Sequence, residues 1–328
     1  MVGPLEPRMP LLQLNDIHVQ IGQTEILRGV TFSLDPGQTL GIVGESGCGK
    51  SMTGLTVMGM LPAGGRITRG TLTLDGRDLT QLSPREWREI RGQEIALVMQ
   101  DPFTSLNPLM KVGDQVAEVY RMHGGLNKSS AGEKAIEMLT LVGVPSPKDA
   151  AHKYPHQMSG GQRQRVVIAI ACAARPKVLI ADEPTTALDV TLQAQVLRLL
   201  KEIQAEDGTA ILMISHDIGV IGSVSDQIAV FYAGRVVEQG PTAAVLRRPF
   251  HPYTQALMAA MPQTGAGRLR VIEGQPPLLS DLGRACPFAP RCPARFEACE
   301  QEPPLIPAEP GHGAACWKIE SAVTCRID

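Results

Sequence analysis

The segment Gly44-Glu-Ser-Gly-Cys-Gly-Lys-Ser51 constrains the fold of this 328-residue chain more than any other feature. It fits the pattern G-x-x-x-x-G-K-[ST], which requires a buried strand before it and a helix after it. The apolar run at residues 39–43 precedes it, and a helical pattern follows over residues 50–61 until Pro62. The sequence therefore predicts a phosphate-binding loop between a strand and a helix.

The loop offers several groups that bind phosphate. Its glycines let backbone N–H groups converge on phosphate oxygens, and the N-terminus of the following helix adds partial positive charge. Lys50 would reach the terminal phosphates, Ser51 would hold Mg²⁺, and Cys48 is predicted to be a small spacer rather than a nucleophile. A Gly-rich turn with only a structural purpose is disfavoured, because spacing and context agree. We assign nucleotide binding to the loop and the residue after it: Gly44, Glu45, Ser46, Gly47, Cys48, Gly49, Lys50, Ser51 and Met52.

The remaining hydrophobic pattern predicts an α/β fold, a P-loop ATPase core with an added antiparallel layer. Residues 11–34 alternate apolar and polar side chains, which is typical of an antiparallel pair with one solvated face. Further strands are predicted at 95–99, 178–181 and 210–214, each followed by a helical pattern, as a parallel sheet requires. Between Asp101 and Pro155 helical periodicity dominates, most clearly at 112–122 and 131–142, and predicts a helical insert.

Composition and charge bound the class of protein. Lys plus Arg is 31 and Asp plus Glu is 33, so the net charge of −2 offers no positive excess for general binding of nucleic acid. The apolar run at 166–174 is about half of the roughly 20 residues that a spanning helix needs. We expect a mobile leader at 1–10, a main domain at 11–262 with its helical part at about 101–158, and a small irregular Cys-containing domain at 263–328.

Two acidic residues follow one of the predicted strands. Asp182 would be a ligand of Mg²⁺, and Glu183 would be the base that activates the attacking water. An acidic pair after a strand is commonly a helix N-cap, and alone it would favour that interpretation. Together with the phosphate loop, the pair instead favours the catalytic interpretation. His216 lies after another apolar strand, where its side chain could reach the γ-phosphate, although a lone histidine is more often structural.

A second anion site is predicted at a helix N-terminus. The segment contains a serine hydroxyl, exposed backbone amides and a long helical pattern after it, and its residues are Ser159, Gly160, Gly161 and Gln162. One ATP molecule does not need two such sites. The residues alone leave this duplication unexplained.

These motifs, in this order, resemble those of ATP-binding cassette proteins over about residues 10–262. The resemblance is carried by the phosphate loop, Gln100, Met158-Ser-Gly-Gly-Gln162, Asp182-Glu183, Leu188-Asp189 and His216. In that family two subunits pair head to tail and hydrolyse ATP, so the Ser159 helix of each would cap the γ-phosphate held by the other. The resemblance therefore explains the duplicate anion site and implies ATP and Mg²⁺ as cofactors.

Four further segments are similar to the ATPase subunits of dipeptide, oligopeptide and nickel importers: residues 100–108, Tyr154-Pro-His, residues 181–190 and His251-Pro-Tyr-Thr254. The resemblance implies that Gln100 contacts Mg²⁺ and responds to the permease, whose coupling helix the insert receives. One departure is Ile21, where many members carry an aromatic residue that stacks on adenine.

The implied partners are two membrane permeases, a second ATPase, identical or homologous, and indirectly a solute-binding protein, with no nucleic acid. The subunit would lie peripherally on the cytoplasmic face of the inner membrane. Peptide is the expected substrate, and nickel or another small solute stays open. Two rivals are a soluble cassette ATPase of translation or DNA maintenance, and a P-loop kinase, which would not use the Ser159 helix.

Five of the seven cysteines lie after Pro262. Cys286, Cys292, Cys299 and Cys316 match neither the C-x₂-C pairs of zinc ribbons nor a ferredoxin pattern, so free or buried thiols are one interpretation. The segment 286–292 also resembles the tail of peptide-importer ATPases, which implies a structural [4Fe–4S] cluster on these four thiolates. Zinc on the same ligands stays open. Cys325 is expected to be a spare and Cys172 a core residue, and the tail is expected to be cored separately from the phosphate loop.

Overall fold

A computed structural model describes residues 9–186, 189–261 and 272–319 of the chain. Within these residues the strands are β1 Leu12–Ile21, β2 Thr24–Leu34, β3 Thr39–Val43, β4 Gly65–Leu74, β5 Arg77–Asp78, β6 Ile95–Val98, β7 Val178–Asp182, β8 Ala210–Ser215, β9 Gln227–Tyr232, β10 Arg235–Pro241, β11 Ile306–Glu309 and β12 His312–Ala314. The helices are α1 Lys50–Val57, α2 Pro84–Ile90, α3 Pro102–Ser105, α4 Val112–Gly124, α5 Lys128–Leu141, α6 Pro147–Ala151, α7 Gly160–Cys172, α8 Val190–Asp207, α9 Ile218–Val224, α10 Thr242–Arg247 and α11 Pro252–Ala259.

The chain forms two compact units. The first, which we call the loop unit, contains the described residues of 1–35, 39–81 and 213–328. The second, which we call the helical unit, contains residues 36–38 and the described residues of 82–212. Residues 1–8 of the mobile leader predicted at 1–10, together with Leu188 and Cys325, lie outside the described residues.

The loop unit contains an antiparallel sheet in the strand order β2-β1-β4-β5. The predicted pairing of β1 with β2 is confirmed, and its buried face carries apolar residues such as Leu14 and Val19. The strand β4 was not predicted from the hydrophobic pattern, and it pairs with β1 along most of its length. Apart from Leu72 and Leu74 the side chains of β4 are exposed or half-buried, so its sequence lacks the alternation that marks a strand.

A second group of strands in the loop unit supports the phosphate loop. Their order is β11-β12-β10-β9-β3, with β3 and β9 parallel and the other neighbouring pairs antiparallel. Every residue of β3 is buried, which explains its continuous apolar sequence. The helix α1 begins at Lys50, as predicted, but it ends at Val57 instead of residue 61, and Gly59 follows in a left-handed conformation (φ +60°).

The helical unit joins the parallel pair β6 and β7 to the predicted helices. The pairing aligns Ile95 with Val178 and Val98 with Ala181, so the parallel prediction is confirmed here. Helices α4 and α5 match the two segments predicted for the insert and begin and end within a few residues of them. No described helix is long and apolar enough to cross a lipid bilayer.

The tail differs from the irregular domain that we expected. Its strands β11 and β12 add to the sheet of the loop unit through Ala314, which pairs with Glu238 of β10. Three short 3₁₀ turns lie before these strands, at Leu279–Asp281, Ala289–Arg291 and Glu297–Glu300. A separate Cys-containing domain is not confirmed, and the domain boundaries at 11–262 and 263–328 stay predictions.

Candidate nucleotide site and cysteine cluster

The phosphate loop connects β3 to α1 through backbone that only glycine accommodates. A Cβ atom at Gly44 would lie 2.3 Å from the carbonyl oxygen of Phe231, so no larger residue fits there. Gly49 has φ +104° immediately before the first residue of α1. These two glycines let the loop turn tightly at the end of a buried strand and present its backbone amides at the helix N-terminus.

The Lys50 side chain lies back along the loop. Its Nζ donates to the carbonyl oxygens of Gly44 at 2.8 Å and of Glu45 at 2.9 Å, and the residue is buried. Burial also raises the pKa of the Cys48 thiol, which fits a spacer rather than a reactive thiolate. Ser51 and Ser46 are exposed on the same segment.

Two side chains from distant parts of the sequence hold Glu45, and the sequence analysis assigned neither of them. The Tyr253 hydroxyl accepts a hydrogen bond from the Glu45 backbone N–H at 2.8 Å. The Arg291 guanidinium donates to both carboxylate oxygens of Glu45, at 2.6 and 2.9 Å. The hydrogen bond with Glu45 raises the pKa of Arg291 above its ordinary value. Arg291 belongs to the cysteine-containing tail, so the expectation that the tail is cored separately from the loop was wrong.

The His251-Pro-Tyr-Thr254 motif gains a structural explanation. His251 precedes α11, and its Nδ1 accepts a hydrogen bond from the Tyr253 backbone N–H at 3.0 Å. Burial lowers the pKa of His251 to about 4, which keeps the ring neutral and able to accept this bond. Burial likewise raises the pKa of Tyr253, so its hydroxyl stays protonated beside Glu45.

The two predicted acids of the helical unit lie at the end of β7. Asp182 is the last residue of the strand, and Glu183 follows it with φ +47°, an unfavourable conformation for a residue with a side chain. The Glu183 carboxylate accepts hydrogen bonds from Gln100 Nε2 at 3.0 Å and from the Thr186 hydroxyl at 2.8 Å. Thr186 was missed, although its place three residues after an acid on a turn is typical of such a contact.

The second predicted anion site is a well-formed helix N-terminus in the helical unit. Ser159 caps α7: its hydroxyl accepts from the Gln162 N–H at 3.3 Å, and the Gln162 side chain accepts from the Ser159 N–H at 3.1 Å. Ser159 is exposed, whereas Gly161 is buried and a Cβ atom there would lie 3.0 Å from Leu192. The helix therefore begins with an exposed serine hydroxyl, and a side chain at position 161 would press against Leu192.

The remaining predicted residues are distributed over both units. His216 follows β8 in the loop unit, and Ile21 is a half-buried residue that pairs with Thr24 at the end of β1. Asp189 caps α8 in the helical unit by accepting from the Leu192 N–H. The loop unit thus carries residues 44–52 and His216, and the helical unit carries Gln100, residues 159–162, Asp182 and Glu183.

The four tail cysteines line one small cavity of the loop unit: Cys286, Cys292, Cys299 and Cys316. Burial raises the pKa of the Cys286 thiol to about 11. Among the described residues no group of three or more His, Cys, Asp or Glu side chains has an arrangement that could hold a metal ion. The predicted [4Fe–4S] cluster is therefore not confirmed. Cys172 is buried in α7, as expected for a core residue.

Comparison with known proteins decides the family. The model described as ABC transporter matches residues 27–186, and the model described as the C-terminal region of oligopeptide/dipeptide transporters matches residues 237–299. The oligopeptide transport ATP-binding protein OppD of Salmonella typhimurium is 46% identical over 319 residues, which is 95% of each chain. The chain belongs to this family of ABC transporter ATPases. Dipeptide transport ATP-binding protein DppD of Bacillus subtilis is 44% identical over 94% of each chain.

Solved structures of ABC ATPases have the same fold. The ATP-binding cassette MJ0796, in a dimeric post-hydrolysis state bound to ADP and Pi, is 28% identical with a TM-score of 0.63. The match covers 73% of this chain and 100% of the MJ0796 chain. As an ABC ATPase, the chain combines this shared cassette with the C-terminal region that the oligopeptide and dipeptide transporters add.

Proposed function

We propose that this chain is the ATP-hydrolysing subunit of a peptide importer, in which ATP hydrolysis drives solute uptake through partner permeases. The observation that carries the proposal is that a complete set of hydrolysis motifs and the oligopeptide/dipeptide C-terminal region occur together in one chain. The relatives named for oligopeptide and dipeptide transport, each matched over most of its length, support peptide as the substrate class.

The reaction needs phosphate binding, a metal and an activated water. In this proposal Lys50 and the loop amides bind the phosphates, and Ser51, Asp182 and Gln100 would hold Mg²⁺, which would supply positive charge to offset the negative charge of the phosphates. Glu183 accepts the proton of the attacking water, and His216 contacts the γ-phosphate. The hydrogen bonds from Gln100 and Thr186 orient the Glu183 carboxylate, as its role as a base requires.

The Ser159 helix is proposed to act on the ATP of a second ATPase subunit, identical or homologous. Its exposed N-terminus bears the partial positive charge that a γ-phosphate would meet. The dimeric state of the cassette MJ0796 supports the pairing of two ATPase subunits.

The permeases are proposed to dock beside Gln100 in the helical unit. Phe103 is 60% exposed and Leu109 is 85% exposed, and both follow Gln100 closely in the sequence. Exposed large apolar side chains of this kind suit a protein interface. Docking there would let a permease act on Gln100, place the subunit peripherally on the cytoplasmic face of the inner membrane, and connect it indirectly to a solute-binding protein.

Transport by the assembled complex tests the function. The chain is co-expressed with candidate permeases and a candidate solute-binding protein, and the complex is reconstituted in vesicles. We expect uptake of labelled peptides that requires ATP and is lost with Phe103→Ser and Leu109→Ser together. Uptake of Ni²⁺ without uptake of peptides would contradict the substrate class. Purification with ribosomes or DNA and without permeases would contradict the importer.

We also propose that the four tail cysteines hold a [4Fe–4S] cluster that stabilises the tail. Their common cavity supports this, because all four thiols line the same space. Zinc on the same thiolates is the alternative that the experiment distinguishes. The protein is purified without oxygen, and its visible spectrum, iron and sulfide are measured: a colourless protein with stoichiometric zinc, or with no metal, would refute the cluster.

A further inference from the structure

Glu45 places a negative charge inside a loop whose purpose is to bind a polyanion. It lies between Gly44 and Ser46, and its own carbonyl oxygen is 2.9 Å from the ammonium of Lys50. An unpaired carboxylate at this position would repel the phosphates of ATP and compete with them for Lys50. The chain therefore needs a cation that holds the Glu45 side chain and cancels its charge.

Arg291 meets that need with a desolvated, two-fold contact. The Arg291 side chain is 4% exposed, and its two terminal nitrogens each donate to a different oxygen of Glu45. Such bidentate pairs fix direction as well as charge. The Glu45 side chain is 24% exposed, so the ion pair lies largely out of water.

The same guanidinium also binds other groups of the loop unit, including the backbone of the tail. Arg291 Nε donates to the carbonyl oxygen of Glu273 at 2.9 Å, and Nη1 contacts the Tyr232 hydroxyl at 3.3 Å. Phe288, three residues before Arg291, packs on Tyr232 and on Tyr253, whose hydroxyl holds the Glu45 backbone. Loop, tail and aromatic side chains thus form one set of contacts around Glu45.

The tail also borders the open space beside the loop. A cavity of about 740 Å³ is lined by loop residues, Ser46 and Gly47 among them, and by the tail segment at 275–280. Because Arg291 binds the backbone at Glu273, just before this segment, it helps to define that wall of the cavity.

We propose that Arg291 is a positioning residue for ATP binding: it neutralises Glu45 and holds the phosphate loop in a conformation that accepts the triphosphate. This inference rests on the proposed binding of ATP at the loop. It makes the tail a part of the nucleotide site, at a position 246 residues away in the sequence. Changes in the cysteine segment would then alter the affinity for ATP through Arg291.

The test is the dissociation constant of the Mg²⁺ complex of AMP-PNP, a non-hydrolysable ATP analogue, for the purified full-length chain. Arg291→Gln is expected to weaken binding about tenfold, a typical coupling between linked sites. Arg291→Lys, which keeps the charge and loses the fork, is expected to bind with intermediate affinity. The double variant Glu45→Gln with Arg291→Gln is expected to regain most of the affinity, because no charge is then left unpaired.

Arg295→Gln is the matched control. Arg295 lies in the same tail and pairs with Glu300 in an exposed ion pair, so its loss is expected to leave the affinity unchanged. Circular dichroism verifies the fold of each variant. If Arg291→Gln does not fold, the double variant and Arg291→Lys carry the test.

Wild-type affinity in Arg291→Gln, or a double variant as weak as the single one, would overturn the inference and leave ATP binding at the loop intact. Absence of AMP-PNP binding by the wild-type chain would instead overturn the assignment of the loop.

Discussion

The phosphate loop and the segment that carries Glu183 both hold predicted residues of the ATPase site, but they are held in different ways. The loop is fixed by buried side chains from far along the chain, Tyr253 and Arg291, and its lysine is buried. Glu183 is held within the helical unit by Gln100 and by Thr186, both of which are exposed.

The difference teaches which step each region controls. A loop held from several sides is ready to bind nucleotide before any partner arrives. Exposed hydrogen bonds around Glu183 break at low cost, so this region can respond when a second subunit or a permease approaches. ATP binding should therefore depend mainly on the phosphate loop, and activation of the attacking water should depend on Glu183.

The largest effect is expected from Ser159→Arg. The bulky cation would block the helix N-terminus that the partner's phosphate must approach, so hydrolysis by the dimer should be abolished while an isolated subunit still binds ATP. Ser83→Arg is the control, because Ser83 caps α2 through the same capping box with Glu86. Phosphate release is measured for each variant and for mixtures with a partner that has intact Ser159. If both ATP sites of the mixed dimer were inactive, or both were active, the result would contradict the proposal that Ser159 acts on the ATP of the partner subunit.

A smaller effect is expected on the pH dependence of stability, through His251. This residue supports the phosphate loop by way of Tyr253. Its pKa is about 4 when folded, mainly through burial and against the opposing charge of Glu238, and about 6.5 when unfolded. The unfolded chain therefore binds the proton first, and the free energy of unfolding should fall by roughly 3 kcal/mol as pH drops from 6.5 to 4.

Urea unfolding at several pH values measures this loss. His251→Asn keeps an acceptor for the Tyr253 N–H and should remove this part of the pH dependence. His152→Asn, at an exposed histidine, should retain it. An unchanged slope in His251→Asn would show that other groups cause the loss of stability.

The smallest effect is expected from Thr186→Val. It removes one exposed hydrogen bond to Glu183, which is worth about 1 kcal/mol, so turnover should fall about fivefold with no change in ATP affinity. Thr140→Val removes a hydroxyl that donates to the Ile136 carbonyl at an exposed position of α5, and it should change neither quantity. A change in ATP affinity in Thr186→Val would break the proposed separation between the two regions.

The sequence predicted local structure where the residues that form it are contiguous in the chain. The phosphate loop, the cap at Ser159 and the acids after β7 are contiguous patterns, so their local structure could be predicted. Strands β11 and β12 have four and three residues, too few to show a period. The contact between Arg291 and Glu45 could not be found, because it joins two segments that share no local pattern.

The most direct test of the separation is to measure the dissociation constant of Mg²⁺-ATP and its turnover side by side in Lys50→Ala and Glu183→Gln. We expect Lys50→Ala to lose ATP binding. Glu183→Gln should bind like the wild type and turn over about 100-fold more slowly or worse, because an amide cannot take the proton of water. Substantial hydrolysis by Glu183→Gln, or a loss of binding as large as that of Lys50→Ala, would contradict the account.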